Sequence, residues 1–265
     1  MRSTNPILTR ESASRRGAPP TADQLSQMYN APSYAGTPLA DQRTMTIDDV
    51  VLRTAMTLGA VIVVGAAAWA LDLGIGFAVL GAIAGFVLAM VNIFKRKVSP
   101  PLILAYAACE GLFLGVISHY FNTAFSSGNP LVGSIVTQAI VGTTLAFLGM
   151  LAAYSLRVIR VTQRFAKIAV GAGFALVGLM VVNLIAGMFI PGGLGLRSGG
   201  TAAIIFSLIA IGVGCMFLAL DFHEIENGIR HGAPRSYAWT CAFGLTVSLI
   251  WIYLEILRLL SYFRE

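Results

Sequence analysis

Residues 201–220 read TAAIIFSLIAIGVGCMFLAL and contain no charged side chain. An α-helix rises about 1.5 Å per residue, so a helix of this length crosses the roughly 30 Å hydrocarbon core of a bilayer. Apolar runs of similar length recur along the chain, and we count seven. They cover residues 51–71, 73–94, 101–121, 131–153, 165–190, 201–220 and 237–260. The sequence therefore predicts an all-α fold: a polytopic membrane protein built as a bundle of seven transmembrane helices.

The composition also favours a membrane protein. Of the 265 residues, 57% are hydrophobic and 11% are charged, whereas soluble domains average about 45–50% apolar and about 25% charged residues. So few polar residues cannot cover the surface of a water-soluble globule of this size, which excludes an ordinary cytosolic enzyme and a disordered chain. The charges that give the formal net charge of +6 lie between the apolar runs. We interpret them as a topology signal and expect no nucleic-acid partner.

Residues 1–45 differ from the rest of the chain. They hold five of the ten prolines and no long apolar run, so they cannot form a packed core. We predict a largely disordered cytoplasmic tail over residues 1–45 and a seven-helix transmembrane domain over residues 46–265. Thr46 and Asp49 are spaced as a capping box, which places the start of the first helix at this boundary.

The basic residues predict the orientation in the membrane. With the tail inside, 15 of the 18 Lys and Arg residues fall on the inner side, and only Arg197, Arg258 and Arg264 fall on the outer side. Short loops rich in Lys and Arg stay in the cytoplasm. We therefore expect a multi-pass protein of the cell (inner) membrane, with its N-terminus cytoplasmic and, after seven spans, its C-terminus outside.

Ionisable side chains inside the hydrocarbon are costly, so each one is a functional hypothesis. Glu110 lies in the middle of span three, Asp221 at the inner end of span six, and Glu255 and Arg258 toward the outer end of span seven. Glu255 and Arg258 are three residues apart and can pair with each other. Glu110 has no partner on its own helix and must be protonated, paired across helices or exposed to water. For Asp221 the alternative interpretation is a solvated helix end.

The sequence contains neither a His-Glu-x-x-His zinc motif nor a Walker phosphate loop. Its three cysteines, Cys109, Cys215 and Cys241, are far apart and lie in apolar runs, so they predict no disulfide framework and no metal site. We expect no catalytic residue, no metal site and no cofactor, and a protein that is not an enzyme.

The order of these elements resembles the transmembrane Bax inhibitor motif (Bax inhibitor-1) family in its bacterial branch. The resemblance covers residues 50–265 and leaves the tail unmatched. It rests on Cys109-Glu-Gly-Leu-Phe-Leu-Gly115 in span three, Leu220-Asp-Phe-His-Glu-Ile225 closing span six, and Tyr253-Leu-Glu-Ile-Leu-Arg-Leu-Leu260 ending span seven.

The resemblance implies a helical bundle with a central span ringed by the others. Family members are linked to calcium leak across membranes, to control of cell death and, in bacteria, to regulation of a membrane-bound protease. In the channel-like members, two aspartates on spans six and seven share a proton, and such a pair responds to pH. Asp221 matches the first of these aspartates.

The second aspartate has no counterpart in this chain. Anchoring on Leu-Arg-Leu-Leu aligns the family's arginine with Arg258 and the second aspartate with Ser248, whereas a slipped register aligns it with Glu255. Counted from a turn near residues 228–234, Ser248 lies about 9 Å and Glu255 about 20 Å from the depth of Asp221. We therefore expect a rearranged site. In it Asp221 bonds to Ser248 or another polar group, Glu110 supplies the second buried carboxyl, and Glu255 and Arg258 form a separate outer latch.

The resemblance implies a slow, pH-sensitive leak of calcium or another cation, gated by buried carboxylates, and carboxylate oxygens are suitable ligands for calcium. The alternative is a membrane interaction protein that regulates a membrane-bound protease or another membrane complex through its tail. A small-molecule transporter is disfavoured because no proline interrupts a span and seven spans do not divide into equal halves. The expected partners are the lipid bilayer, the cation and, in the alternative, the protease or complex.

Overall fold

The computed structural model describes residues 43–95, 97–125, 134–190 and 193–264, together with residue 22. In this part of the chain, seven long helices form: α1 (Ile47–Ala70), α2 (Ile75–Phe94), α3 (Pro100–Phe125), α4 (Ile135–Ser155), α5 (Gln163–Gly187), α6 (Thr201–Arg230) and α7 (Tyr237–Tyr262). All seven are long and apolar enough to cross a membrane. The predicted all-α fold with seven candidate spans is confirmed. The predicted disorder of the tail concerns residues that, apart from 22 and 43–45, lie outside the described part.

The helices begin where local chemistry satisfies their first backbone N–H groups. At α1 the predicted capping box is confirmed. Thr46 Oγ1 accepts a hydrogen bond from the backbone N–H of Asp49, and the Asp49 carboxylate accepts one from the backbone N–H of Thr46, both at 3.3 Å. Ser134 and Thr162 cap α4 and α5 with their side chains. Pro100 opens α3, a position where the missing N–H of proline leaves no hydrogen bond unmade.

The helix α7 lies in the middle of the bundle. It packs against α1, α3, α4 and α6, whereas among the described helices α2 packs on α3 alone and α5 on α6 alone. Accordingly, 56% of the most apolar window of α7 is buried, against 17% for α2 and for α5. The outer helices instead expose large apolar side chains such as Phe86 and Phe174. Such a continuous apolar exterior suits contact with lipid.

Glycines allow α1 and α3 to approach closely. A Cβ atom built on Gly111 would lie 2.6 Å from the carbonyl oxygen of Val61, and Gly115 lies against the backbone of Gly65 one turn further on. In lipid, helices associate through van der Waals packing rather than the hydrophobic effect, so backbone contact at small residues is a main source of stability. The small residues four apart in span three therefore mark a helix contact.

The segment before α1 is attached to the turn between α6 and α7. The backbone N–H of Met45 donates to the carbonyl of Ala233 at 2.8 Å, and that of Arg235 donates to the carbonyl of Arg43 at 3.0 Å. The side chain of Met45 is buried in the same core cluster as residues of α6 and α7. Residues 43–45, which the sequence analysis assigns to the tail, thus pair with the α6–α7 turn.

Side chains reinforce this attachment. Arg235 Nε donates to Asp49 Oδ1 at 2.7 Å, and Arg53 donates to the carbonyl oxygen of Arg235 at 2.6 Å. The guanidinium of Arg53 also lies over the ring of Trp239, 5.6 Å from its centroid, in cation–π geometry. The first turns of α1 and α7 are therefore held together at one end of the bundle.

Candidate functional site

A cavity of about 580 Å³ separates α2 from α6 and α7, and α3 forms its remaining wall. Its lining is mostly apolar and aromatic, with Phe86, Phe113, Phe217, Phe243 and Trp251 among the rings that face it. Four side chains add oxygen atoms to this lining, and they are Tyr106, Glu110, Asp221 and Ser248. The cavity therefore brings together the three residues that the sequence analysis assigns to a shared site.

Asp221 lies on α6 and faces α7. Ser248 Oγ donates a hydrogen bond to Asp221 Oδ2 at 2.6 Å, a short contact typical of a hydroxyl bonded to a charged or strongly polar oxygen. Gly244, one turn before Ser248, lies beside the same carboxyl group, and a Cβ atom built on it would come 2.8 Å from Asp221 Oδ1. A hydroxyl on one side and a bare backbone on the other fix the position of this carboxyl group.

Asp221 and Ser248 differ in depth by less than the roughly 9 Å that was estimated from the sequence. Asp221 lies nine residues before the end of α6 at Arg230, and Ser248 lies eleven residues after the start of α7 at Tyr237. This difference of two residues corresponds to about 3 Å along the helix axis. The estimate was too large mainly because α7 begins at Tyr237, three residues after Pro234, and to a smaller extent because α6 continues to Arg230.

Glu110 approaches the cavity from α3. Its carboxyl group lies against α2 at Gly85, where an added Cβ atom would come 2.8 Å from Glu110 Oε1. Tyr106 lies one turn earlier on the same helix and lines the same cavity. The side chain therefore points into the bundle and toward the space shared with α6 and α7.

The two carboxyl groups of the cavity differ in their ion pairing from three other acids of the described part of the chain. Asp49, Glu226 and Glu255 each lie within 4.0 Å of an arginine nitrogen. Within the described residues, neither Glu110 nor Asp221 forms such an ion pair. A carboxylate at membrane depth without a protein cation needs a proton, water or an external cation as its partner.

Glu255 belongs to a different cluster on α7. Its side chain is only 3% exposed, and its Oε1 lies 2.8 Å from Arg258 and 3.7 Å from Arg197. The hydroxyl of Ser207, on α6, donates to Glu255 Oε2 at 3.3 Å. Burial and the neighbouring Arg258 lower the pKa of Arg197 below its ordinary value, while Glu255 opposes that shift. One carboxylate thus joins α7 to α6 and to the α5–α6 connection.

Sequence reasoning missed five members of these two sites, and one of them is Tyr106, which lines the cavity beside Glu110. Arg197 and Ser207 reach Glu255 from positions distant in the sequence, and no local spacing relates them to it. No sequence pattern pointed to Gly244 either, because its role depends on which carboxyl group faces it in the folded bundle. Gly85 did carry a signal, since it ends the small-residue pair Gly81–Gly85.

Comparison with known proteins gives a family. A family model described as Bax inhibitor 1 like matches residues 5–265, nearly the whole chain. The expectation that the tail lies outside the resemblance is therefore wrong, because the match begins at residue 5. A search of curated proteins finds no match. With seven candidate spans and a family match of this extent, the chain belongs to the Bax inhibitor 1-like family of polytopic membrane proteins.

Proposed function

We propose that the chain provides a slow, pH-sensitive leak for calcium or another cation, with Glu110, Asp221 and Ser248 along the path. The observation that supports this most is the shared cavity: two carboxyl groups lie inside the bundle, and the described residues pair neither with a cation. An ionised carboxylate there attracts an external cation, and oxygen ligands suit calcium.

The mostly apolar lining explains why the leak is slow in this proposal. A hydrated ion that enters the cavity meets four oxygen-bearing side chains among many aromatic and aliphatic ones. Loss of hydration is therefore compensated only in part. A group of three or more His, Cys, Asp or Glu side chains that could hold a metal is not found in the described part of the chain, and the proposal assigns calcium a transient, partly hydrated contact.

The pH dependence in this proposal comes from the charge on the two carboxyl groups. A neutral carboxyl group attracts a cation far less strongly than a carboxylate does, so protonation weakens the binding of a cation in the cavity. Neighbouring titratable groups are Tyr106 and Cys109 around Glu110, and Glu224 and Cys241 around Asp221.

We propose that Glu255 and Arg258 act separately, as a latch that holds the outer end of α7.

A flux measurement tests this proposal. Liposomes loaded with a calcium dye and carrying the purified full chain are compared between about pH 8 and about pH 6, a range that buried carboxyl groups reach. We expect Asp221→Asn or Glu110→Gln to change the flux by about tenfold or more, since each removes a charge from the path. Asp48→Asn is the matched control, because Asp48 is an exposed acid in the first turn of α1.

The result that contradicts the leak is flux no greater than that of empty liposomes at every pH. Equal flux in the control and in both cavity variants would also contradict it, because the carboxyl groups would then play no part.

The second candidate is a membrane interaction protein that regulates a membrane-bound protease or another complex. The specific observation in its favour is the pairing of residues 43–45 with the α6–α7 turn, because a partner bound to the preceding residues would act on a defined point of the bundle. Deleting residues 1–42 discriminates the two. An adaptor loses its partner in affinity purification, whereas a leak path keeps conducting.

For location, we propose the inner membrane with the N-terminus cytoplasmic and the C-terminus outside. The support is the distribution of basic residues in the sequence, read with seven candidate spans.

A further inference from the structure

A second cavity, of about 310 Å³, lies at the end of the bundle where α2 ends and where α3 and α7 begin. Six polar side chains line it, and they are Asn92, Lys95, Lys97, Ser99, Tyr237 and Thr240. Apolar residues such as Val98 and Ile103 complete its wall, and no carboxylate lines it. The cavity is thus cationic, and its Tyr237 hydroxyl donates to the carboxylate of Glu224.

The two lysines of this cavity have no acidic partner in the described part of the chain. Arg230, Arg235 and Arg258 each lie within 3 Å of a carboxylate oxygen, whereas neither Lys95 nor Lys97 lies within 4.0 Å of one. Their charges are therefore available to an external anion.

The walls of the cavity are held in place from within the bundle. Asn92 Nδ2 donates to the carbonyl oxygens of Leu88 at 2.9 Å and Leu102 at 3.3 Å, which ties the end of α2 to the first turn of α3. Pro100 and Pro101 have no backbone N–H, so the start of α3 offers fewer backbone donors than an ordinary helix. Selection for an anion therefore depends on the lysines and on the hydroxyl groups of Ser99 and Thr240.

The cavity adjoins surface that is exposed and apolar. Ile93 is 59% exposed and also lines the cavity, and Phe94, next to Lys95, is 80% exposed. A ligand that combines a phosphate with hydrocarbon chains matches both properties at once. Basic pockets between transmembrane helices bind anionic lipid headgroups for this reason.

We propose that this cavity binds the phosphate of an anionic phospholipid, with Lys95 and Lys97 pairing its charge and Ser99 and Thr240 donating hydrogen bonds. The acyl chains lie along the exposed face of α2 at Ile93 and Phe94. This cavity shares Ile93 and Phe243 with the carboxylate cavity but contains none of its carboxyl groups, and the proposal stands whether or not the chain conducts cations.

Lipid retention measured on the full chain tests the proposal. The purified protein in detergent is titrated with phosphatidylglycerol against phosphatidylcholine, and bound lipid is counted by native mass spectrometry. We expect preferential retention of one phosphatidylglycerol, and about 30-fold weaker binding in Lys95→Gln/Lys97→Gln, because each cation near a membrane surface contributes about a factor of five. Arg164→Gln/Lys167→Gln is the matched control, since it removes two positive charges at the start of α5, away from this cavity.

A second variant separates charge from shape. Thr240→Phe fills the cavity and keeps both lysines, so we expect it to weaken phosphatidylglycerol binding as well. Binding by the double lysine variant that equals binding by the control would overturn the proposal. So would full competition by inorganic phosphate at the same concentration as the lipid, because that result would identify a site for free phosphate instead.

Discussion

At Glu255 a single buried carboxylate compensates two arginines. Its Oε1 lies 2.8 Å from Arg258 and 3.7 Å from Arg197, and both arginines are partly exposed. Removing one member of a buried pair leaves the remaining charge uncompensated, whereas exposed pairs contribute little. The loss in the free energy of unfolding that a substitution causes therefore depends more on the burial of an ion pair than on its presence.

We expect Glu255→Gln to lower the free energy of unfolding by about 2–4 kcal/mol, because two guanidinium groups then face each other without a carboxylate. Thermal unfolding of the purified protein in detergent measures this effect. Glu226→Gln is the control: its intrahelical pair with Arg230 is exposed, and the expected loss is about 0.5 kcal/mol. Equal losses in the two variants would show that Glu255 has no special structural role.

The close contact between α1 and α3 depends on glycines, which have no side chain to hold the two backbones apart. We expect Gly111→Ala to destabilise the protein by about 1–3 kcal/mol, because the new Cβ would lie 2.6 Å from the backbone carbonyl of Val61, which cannot move aside as a side chain can. Gly59→Ala, also on this helix pair, has nothing within 4 Å of its new Cβ. It should be neutral or stabilising by up to about 1 kcal/mol through helix propensity. Denaturant titration followed by circular dichroism compares the two variants, and a neutral Gly111→Ala would mean that the helices separate at little cost.

The proposed orientation predicts which loops face the cytoplasm. Ser198, in the α5–α6 connection, and Arg160, in the α4–α5 connection, are both exposed. In intact cells we expect a membrane-impermeant thiol reagent to label Ser198→Cys and not Arg160→Cys, and to label both after permeabilisation. The parent protein provides the background from its own cysteines. The reverse labelling pattern would invert the orientation and, with it, the assignment of the outer latch.

The fold could be predicted from the sequence to a greater extent than the candidate site could. Seven apolar runs are local features, and their length alone relates each of them to the thickness of a bilayer. The cavity is a tertiary feature: Glu110 and Asp221, which are 111 residues apart in the chain, both line it. The motif pattern aligned Ser248 with the family's second aspartate, but its depth relative to Asp221 depended on where α6 ends and α7 begins, and helix ends are the least reliable part of such reasoning. Arg197 could not be found at all, because it reaches Glu255 from a loop.

The packing of α2 against a single helix neighbour has a mechanical consequence. This helix forms one wall of the larger cavity and packs on α3 alone among the helices described, whereas α7 packs on four. Its contact with α3 includes a close backbone approach at Gly81, where an added Cβ atom would lie 2.9 Å from the carbonyl oxygen of Cys109. Widening the cavity by displacing α2 therefore disturbs a single interface, while displacing α7 disturbs four. The number of helix interfaces that must change is therefore smaller for the α2 wall than for the central helix α7.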